Sequence, residues 1–265
     1  MDYRKTRDKK IVESNYADSG NLSTRISLHQ KYSTNPYGWS DWVYDQYQFT
    51  PGCRILELGC GNGGFWDSRI SLLPAGAALI LSDISNGMLD EVATKFADCA
   101  QVEARKIDIT DIPFEDGSFD FVIANHMLYH VPDLDKAIGE VHRVLKPDGV
   151  FYATTTGDRG ISEYLNTTAI EILGNPVEPS YMSFSLQNGR GHLGKWFRTI
   201  DARDYPDSLL ISDINDWLDY IFSMSAMAGV EILDRSKWFD YYTVKRDSDG
   251  LLHVPKENGM FISKK

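Results

Sequence analysis

Ile55-Leu56-Glu57-Leu58-Gly59-Cys60-Gly61-Asn62-Gly63-Gly64 joins an apolar run to a group of closely spaced glycines. The apolar part, from Arg54 to Leu58, follows Pro51-Gly52 and predicts a buried parallel strand. Glycines directly after a strand let the backbone turn sharply and approach a ligand without an intervening side chain. The stretch therefore predicts the first core strand and a turn that binds a ligand at its carboxyl end.

The spacing of these glycines does not by itself separate the ligand classes. Gly59, Gly61 and Gly63 alternate and a carboxylate, Glu57, precedes the first of them by two residues, but Gly59, Gly61 and Gly64 also satisfy the G-x-G-x-x-G pattern of a dinucleotide-binding turn. A glycine turn alone is also explained by turn geometry. A nicotinamide-dependent oxidoreductase stays an alternative, because it also uses a glycine turn and an acid after the second strand.

Strand and helix patterns alternate downstream of this turn. Apolar runs predict four further strands, at Ala78–Leu81, Val102–Ile107, Phe119–Ala124 and Val150–Thr155. Helices are predicted after Ser85, which serves as an N-terminal cap, and over Asp133 to Lys146, which Pro147-Asp148-Gly149 then stops. Alternation of this kind requires a mostly parallel sheet with helices on both faces, so we expect a Rossmann-like, doubly wound α/β fold.

The flanks of this core are less regular. Glu163–Leu173 and Asp213–Met224 are predicted helices, and Gly259–Ser263 is predicted as a last strand, antiparallel beside residues near Thr199–Ala202. The expected organisation is a seven-stranded sheet with a helical N-terminal lid at residues 1–50, a core at 51–156 and 199–265, and a helical substrate-cap insertion after strand five at 157–198.

Acidic residues end three successive strands. Asp83 and Asp108 follow the second and third strands, and Glu57 lies at the end of the first. Ligands of open α/β sheets bind along the carboxyl edge, where an acid can accept hydrogen bonds from both hydroxyls of a ribose. The alternatives are a helix-capping role for Asp83 and a turn role for Asp108. Acids at three consecutive strand ends favour a nucleoside site.

The motifs from Ile55 to Gly63, at Asp83, at Asp108-Ile109, at Phe119–Asn125 and at Leu145–Val150 together resemble class I S-adenosylmethionine-dependent methyltransferases of the type 11, UbiE-like small-molecule group. The resemblance covers about residues 50 to 156 and implies S-adenosyl-L-methionine as the cofactor. It implies that these residues contact the cofactor: Glu57, Gly59, Cys60, Gly61, Asn62, Gly63, Asp83, Ile84, Met88, Asp108, Ile109 and Asn125.

Methyl transfer from a sulfonium depends mainly on positioning, although a weakly acidic acceptor also requires a base. His126 and His130 are the candidate catalytic bases, and a structural hydrogen-bonding role is the alternative for each. The candidate substrate residues are aromatic or histidine side chains of the flanks, for which plain hydrophobic packing is the alternative: His29, Tyr32, Trp39, Tyr129, Tyr164 and Tyr181.

Composition limits the partners. A formal net charge of −11 disfavours broad binding to nucleic acid, and no run approaches the roughly 18 apolar residues of a membrane span. Three cysteines without metal-finger spacing predict no metal site. We therefore expect a cytoplasmic methyltransferase that acts on an oxygen, nitrogen or carbon of a small molecule. A peptide or protein acceptor and a non-catalytic cofactor-binding protein are the alternatives, and the oligomeric state is left open.

Overall fold

A computed structural model describes residues 7–17, 19–174, 182–224 and 234–265. These residues form one seven-stranded sheet with helices on both faces, in the strand order β3-β2-β1-β4-β5-β7-β6. Strands β1 to β5 are parallel, and β7 is antiparallel to both β5 and β6. The predicted fold class is confirmed.

The strands occur along the chain where the apolar runs predicted them, and several are longer than those runs indicated. Their bounds are β1 Arg54–Leu58, β2 Ala78–Asp83, β3 Val102–Lys106, β4 Phe119–Asn125, β5 Leu145–Thr156, β6 Thr199–Ile211 and β7 Leu252–Lys264. The antiparallel ribbon is the main extension, because β6 and β7 pair along their whole lengths from Thr199–Lys264 to Ile211–Leu252.

Nine helices are described in these segments, besides short 3-10 turns. Their bounds are α1 Lys9–Asn15, α2 Gly20–Tyr32, α3 Trp39–Tyr44, α4 Asn86–Lys95, α5 Leu134–Val144, α6 Ile161–Leu173, α7 Gly189–Leu193, α8 Ile214–Ser223 and α9 Arg235–Val244. The Ser85 side chain accepts a hydrogen bond from the Met88 amide and so caps α4 as predicted. Asp133 and Asp213 cap α5 and α8 in the same way.

The junction between α5 and β5 corrects one prediction. The helix ends at Val144 and the strand begins at once at Leu145, so Pro147-Asp148-Gly149 lies inside β5 and does not form a separate stop. Asp148 has a φ of 65°, and the pairing with β4 shifts register between Phe119 and Phe121. Pro147 and Gly149 therefore mark an irregularity within a strand. The apolar periodicity of the sequence does not distinguish such an irregularity from the end of a helix.

Side chains of the central strands alternate between two cores. Leu56 and Val122 face the core beneath α5, whereas Ile55 and Ile123 face the core beneath α4 and α3. A third apolar cluster joins α2, α6, α8 and α9 to the far ends of β6 and β7. The sheet is thus covered on both faces, and the third cluster stands beyond the carboxyl edge of the parallel strands.

Candidate functional site

A large cavity opens along the carboxyl edge of the parallel strands. Its volume is about 1220 Å³. The strand ends and the loops after β1, β2, β3 and β4 line one side of it, and side chains from α2, α3, α8 and β7 line the other. We call these the strand-end side and the ribbon side. Since small-molecule pockets commonly measure about 300 to 1,000 Å³, the cavity has room for more than one compact ligand.

The glycine loop after β1 lies on the strand-end side. Gly59, Gly61 and Gly63 all have positive φ values, of 70°, 56° and 71°. A Cβ at Gly59 would come within 2.9 Å of the Met127 Cβ, and one at Gly63 would come equally close to the Phe96 ring. Both conformation and space therefore require glycine at these two positions, which explains the pattern read from the sequence.

Glu57 is buried behind this loop and organises it. The Trp66 indole N–H donates to Glu57 Oε2, and Asn125 Nδ2 donates to Glu57 Oε1 at 2.9 Å. Burial raises the pKa of the Glu57 carboxyl to about 7. The hydrogen bonds from Trp66 and Asn125 act in the opposite direction and lower the pKa. Glu57 thus fixes Asn125, the last residue of β4, beside the cavity.

Asp83 ends β2 within the cavity wall. Its Oδ2 accepts from the Gly61 amide at 3.0 Å, and its Oδ1 accepts from the Ser85 amide at 2.9 Å. Burial raises the pKa of this carboxyl above its ordinary value. Each oxygen has a second lone pair that these bonds leave free, so the carboxylate can accept two further hydrogen bonds from a ligand.

The remaining predicted cofactor residues divide into two groups. Cys60, Ile84, Asp108 and Ile109 all line the cavity. Asn62 also borders the cavity, and its side chain shapes the loop by accepting from the Gly64 amide and donating to Glu91. Met88 alone forms the second group.

Met88 differs from these residues because its side chain is completely buried and lies outside the cavity lining. Its burial beneath α4 follows from the apolar face of that helix, which the Ser85 cap positions.

Asp108 caps its own turn, since its Oδ1 accepts from the amide and the hydroxyl of Thr110 at 2.9 and 2.8 Å. The turn role and a ligand role are therefore compatible for Asp108.

His126 and His130 follow β4 and both line the cavity. His126 has a φ of 50°, unusual for a residue with a side chain, and its amide donates to Thr154 Oγ1 at 3.0 Å. Burial lowers the pKa of His126 to about 4, with a smaller contribution from the charge of Lys256. His126 is therefore a neutral imidazole near pH 7.

The side chain of His130 contacts the N-terminal segment. Its Nε2 lies 3.3 Å from the Tyr16 hydroxyl, and Arg25 donates to the same hydroxyl at 2.8 Å. Arg25 also donates to the Ser223 carbonyl at 2.9 Å, at the end of α8. The contacts of Tyr16 and Arg25 thus connect the first residues of the chain to the loop after β4 and to the helices beyond β6.

The predicted substrate residues do not all reach the cavity. His29, Trp39 and Tyr129 line it. Tyr32 does not, since its hydroxyl donates to Asp216 at 2.7 Å and its ring is buried against α8. Tyr164 likewise stacks on Tyr242 within the third apolar cluster.

The sequence-based assignment of Tyr32 and Tyr164 to the substrate site is therefore not supported by their positions, because an aromatic-rich segment supplies both packing and lining residues. Tyr181 falls outside the described residues. In the described part of the chain, no group of acidic, histidine and cysteine residues has the arrangement of a metal site, and no helix has the length and apolar character to cross a membrane.

Sequence reasoning missed the residues that β7 contributes. Lys256, Glu257 and Asn258 all line the cavity, although they lie in a strand whose sequence shows no motif. The feature of the sequence that could have indicated them is a lysine and a glutamate inside a segment otherwise rich in apolar residues. The sequence also missed Tyr16, because an isolated tyrosine near the start of a chain indicates nothing about its partner.

Comparison with known proteins agrees with this geometry. Residues 56–153 match a family model described as a methyltransferase domain. A demethylmenaquinone methyltransferase of Clavibacter sepedonicus is 40% identical over 98 residues, which are 37% of this chain and 39% of that protein. A ubiquinone/menaquinone biosynthesis C-methyltransferase UbiE of Vibrio cholerae is 33% identical over 114 residues, 42% of this chain and 44% of that protein. The matches thus span less than half of each of these relatives.

Solved structures extend the likeness of fold to most of the chain. The YcgJ protein of Bacillus subtilis superimposes with a TM-score of 0.60 at 15% identity, over 85% of this chain and 97% of that one. A phosphoethanolamine N-methyltransferase 2 of Haemonchus contortus, in complex with S-adenosyl-L-methionine, gives a TM-score of 0.60 at 18% identity over 98% of this chain and 60% of that one.

The sheet order is that of an open α/β domain, and acids lie at the ends of its first strands, at the edge where such domains bind their ligands. Over residues 56–153 the chain is similar to methyltransferase domains, and its relatives include UbiE C-methyltransferases, in agreement with the resemblance of the sequence motifs.

Proposed function

We propose that this protein is an S-adenosylmethionine-dependent methyltransferase that transfers a methyl group to an oxygen, nitrogen or carbon atom of a small molecule. One observation carries the proposal: one cavity joins the glycine loop, Asp83 and His126 on the strand-end side to His29 and Trp39 on the ribbon side. A transfer reaction requires two ligands side by side, and this cavity has room for both.

The residues on the strand-end side suit S-adenosylmethionine. The Asp83 carboxylate has free lone pairs for the two hydroxyls of a ribose, and Ile84 and Ile109 provide apolar surface for an adenine ring. The glycine loop brings backbone close to the cavity with no Cβ in the way. When bound, this cofactor would supply an activated methyl group on a sulfonium.

The protein itself would contribute mainly orientation. Glu57 holds Asn125 in place through a 2.9 Å hydrogen bond, and Asn125 lines the cavity. His126 is a weak base because its pKa is lowered to about 4. We therefore assign positioning, rather than proton removal, to His126, since alignment of acceptor and methyl group lowers the barrier by itself.

A compact acceptor is favoured over a macromolecule. Helices α1, α2 and α3 and the helices after β5 contribute residues to the cavity, so an acceptor would lie in a partly open cleft rather than across a flat surface. The relatives named above act, by their names, on demethylmenaquinone, ubiquinone or menaquinone precursors and phosphoethanolamine, which are small molecules. The net charge of −11 speaks against nucleic acid, and a cytoplasmic location stays a prediction.

Calorimetric titration with S-adenosylmethionine and S-adenosylhomocysteine, with NAD as the comparison ligand, tests the cofactor. We expect affinities in the micromolar range for the first two, about −8 kcal/mol, and none for NAD. Transfer of a labelled methyl group to a panel of small acceptors then separates an enzyme from a non-catalytic binding protein. Binding of NAD together with a failure to bind S-adenosylhomocysteine would refute the proposal. Labelling of peptides but of no small molecule would show that the acceptor is a peptide or protein.

A further inference from the structure

Lys256 on β7 is buried in the wall of the cavity, on the ribbon side. Only 3% of its side chain is exposed, and it is ion-paired with Asp207 on β6, whose side chain is fully buried. A lysine is seldom buried to this extent unless its charge is paired, as it is here. Neither residue belongs to the cofactor motifs of the chain, and both come from the antiparallel ribbon.

Asp207 is stabilised by more than this lysine. Its Oδ1 accepts from the Ser33 hydroxyl at 2.7 Å, from the Thr34 amide at 3.1 Å and from the Asn35 amide at 3.2 Å. These donors hold the carboxylate against the loop between α2 and α3. Asp207 is therefore fixed by the loop as well as by the lysine, and it keeps its position when a ligand oxygen approaches another donor of Lys256.

Lys256 also has unused hydrogen-bonding capacity. An ammonium group has three N–H donors, and within the described residues Asp207 is the hydrogen-bond acceptor of this one. Because Lys256 lines the cavity, a ligand oxygen is the available acceptor for a second donor. Glu257, the neighbouring acid, is already occupied, since its Oε2 accepts from the Arg159 amide at 3.0 Å and from Gln187 at 3.1 Å.

His29 on α2 lines the same cavity, and its carbonyl accepts from the amide of Ser33, whose hydroxyl bonds to the partner of Lys256, Asp207. Neither of its ring nitrogens has a hydrogen-bond partner among the described residues, and Nδ1 is buried. Its ring packs edge-on against Tyr220 at 5.5 Å. Burial first, and then the charge of Lys256, lowers the pKa of His29 to about 3, so the imidazole is neutral and can donate one hydrogen bond.

The surroundings of the two residues are aromatic. Lys256 Nζ lies 6.0 Å from the centre of the Tyr205 ring, Tyr205 contacts Trp39 at 5.2 Å, and Trp39 contacts the His126 ring at 5.1 Å. Water is partly excluded from such a wall, which strengthens the interaction of a charge with a ligand. The same wall accepts an apolar molecular body.

We propose that Lys256 and His29 form a subsite that binds a negatively charged oxygen, a carboxylate or an ionised hydroxyl, carried by an otherwise apolar acceptor. This inference rests on the proposed methyltransferase function and adds the chemical class of its acceptor. A buried ammonium with a free donor, a neutral imidazole with no partner and an aromatic wall meet in one place. That combination disfavours a positively charged amine and favours an oxyanion.

The test uses the whole protein saturated with S-adenosylhomocysteine, so that no methyl transfer occurs. Two pairs of probes of closely similar shape are titrated calorimetrically: benzoate against benzamide, and 4-nitrophenol above the pH of its ionisation against 4-nitroanisole. We expect at least one anionic probe to bind about tenfold or more tightly than its neutral counterpart, since hydrogen bonds to charged groups contribute about 1.5 to 3 kcal/mol. Preference within the first pair identifies a carboxylate, and within the second an ionised hydroxyl.

Variants locate the preference. K256M alone would leave Asp207 buried without its cation, so the double variant K256M/D207N removes both charges together, and H29Q changes the imidazole without unpairing any group. Each should lose most of the anion preference while the affinity for S-adenosylhomocysteine stays unchanged. K195M is the matched control, because Lys195 is exposed and paired with Asp135 on the outer surface.

Three results would overturn the subsite: equal binding of the charged and neutral probes, binding of none of them, or an anion preference that survives both sets of variants. The S-adenosylhomocysteine titration of the same samples reports on the cofactor site separately. If the unaltered protein fails to bind S-adenosylhomocysteine, the proposed function fails. If it binds and shows no anion preference, the subsite alone fails.

Discussion

The two sides of the cavity are built in different ways. On the strand-end side, Glu57, Gly61 and Asp83 lie at the ends of neighbouring strands within one continuous stretch of chain. On the ribbon side, Ser33 bonds to Asp207 across 174 positions of sequence, and Tyr32 bonds to Asp216 across 184. The first side is a local consequence of strand order, whereas the second exists only once distant segments have met. The difference implies that substitutions on one side should leave the other largely unaffected.

The largest expected effect is on the strand-end side. Glu57→Ala would leave the Trp66 indole and the Asn125 amide without their buried acceptor. We expect the free energy of unfolding to fall by about 2 to 4 kcal/mol, since each unsatisfied buried group costs about 1 to 3 kcal/mol. Urea unfolding measures this loss. Glu103→Ala, on the exposed edge strand β3, is the control and should change stability by less than about 0.5 kcal/mol; equal stability of both variants would contradict the assigned role of Glu57.

Asp83→Ala should separate the two sides most clearly. Loss of the carboxylate removes the predicted ribose contacts, so the affinity for S-adenosylhomocysteine should fall by about 10- to 100-fold while the protein stays folded. Calorimetry measures the affinity, and circular dichroism confirms folding. The control is Asp90→Ala on α4, whose carboxylate lies outside the cavity lining. Unchanged affinity in Asp83→Ala would exclude Asp83 from the cofactor site.

Tyr32→Phe tests the correction on the ribbon side. The variant loses the hydrogen bond to Asp216, which keeps its ion pair with Lys31. We expect a loss of about 1 kcal/mol in stability, with cofactor affinity and turnover of any acceptor found unaltered. A fall in turnover at equal folded fraction would show that Tyr32 reaches the substrate after all.

His29→Gln should give the smallest effect, in the dependence of stability on pH. The pKa of His29 is about 3 in the folded protein against an ordinary 6.5, so the unfolded chain binds the extra proton and stability is lost as pH falls below about 6.5. This group should cost the unaltered protein about 0.7 kcal/mol between pH 7 and pH 6. In the variant that part of the loss should disappear; an identical pH profile would mean that His29 is not held neutral.

The same contrast explains what the sequence could predict. Arg54–Leu58 and its glycines encode their strand and turn locally, because conformation and spacing are properties of adjacent residues. Strand–helix alternation predicted the five parallel strands and their succession along the chain, whereas the order in which the strands pair in the sheet was not predicted. The ends of elements were less accurate where a strand continues through an irregularity, as at Asp148 in β5.

The ribbon side could not be predicted in the same way. Tyr32 and Trp39 both belong to the aromatic-rich N-terminal segment, yet one ring is buried against α8 and the other lines the cavity. Which of them faces the cavity depends on the rotation of α2 and α3 against β6, and that is decided by partners such as Asp207 and Asp216. Lys256 was invisible for the same reason, since its role depends on a carboxylate on another strand.

The isolated bridge between Ser33 and Leu209 also bears on the order in which the chain folds. Arg54 and Ala78 in the first parallel pair are close in sequence, so that pairing requires little loop-closure entropy, whereas the contact of Ser33 with β6 closes a loop of most of the chain. The strand-end side of the cavity is therefore expected to form first and the ribbon side to close around it last. In a pulsed hydrogen-exchange experiment, the amides of β1 and β2 would gain protection before the Thr34 amide, which donates to the Ser208 carbonyl.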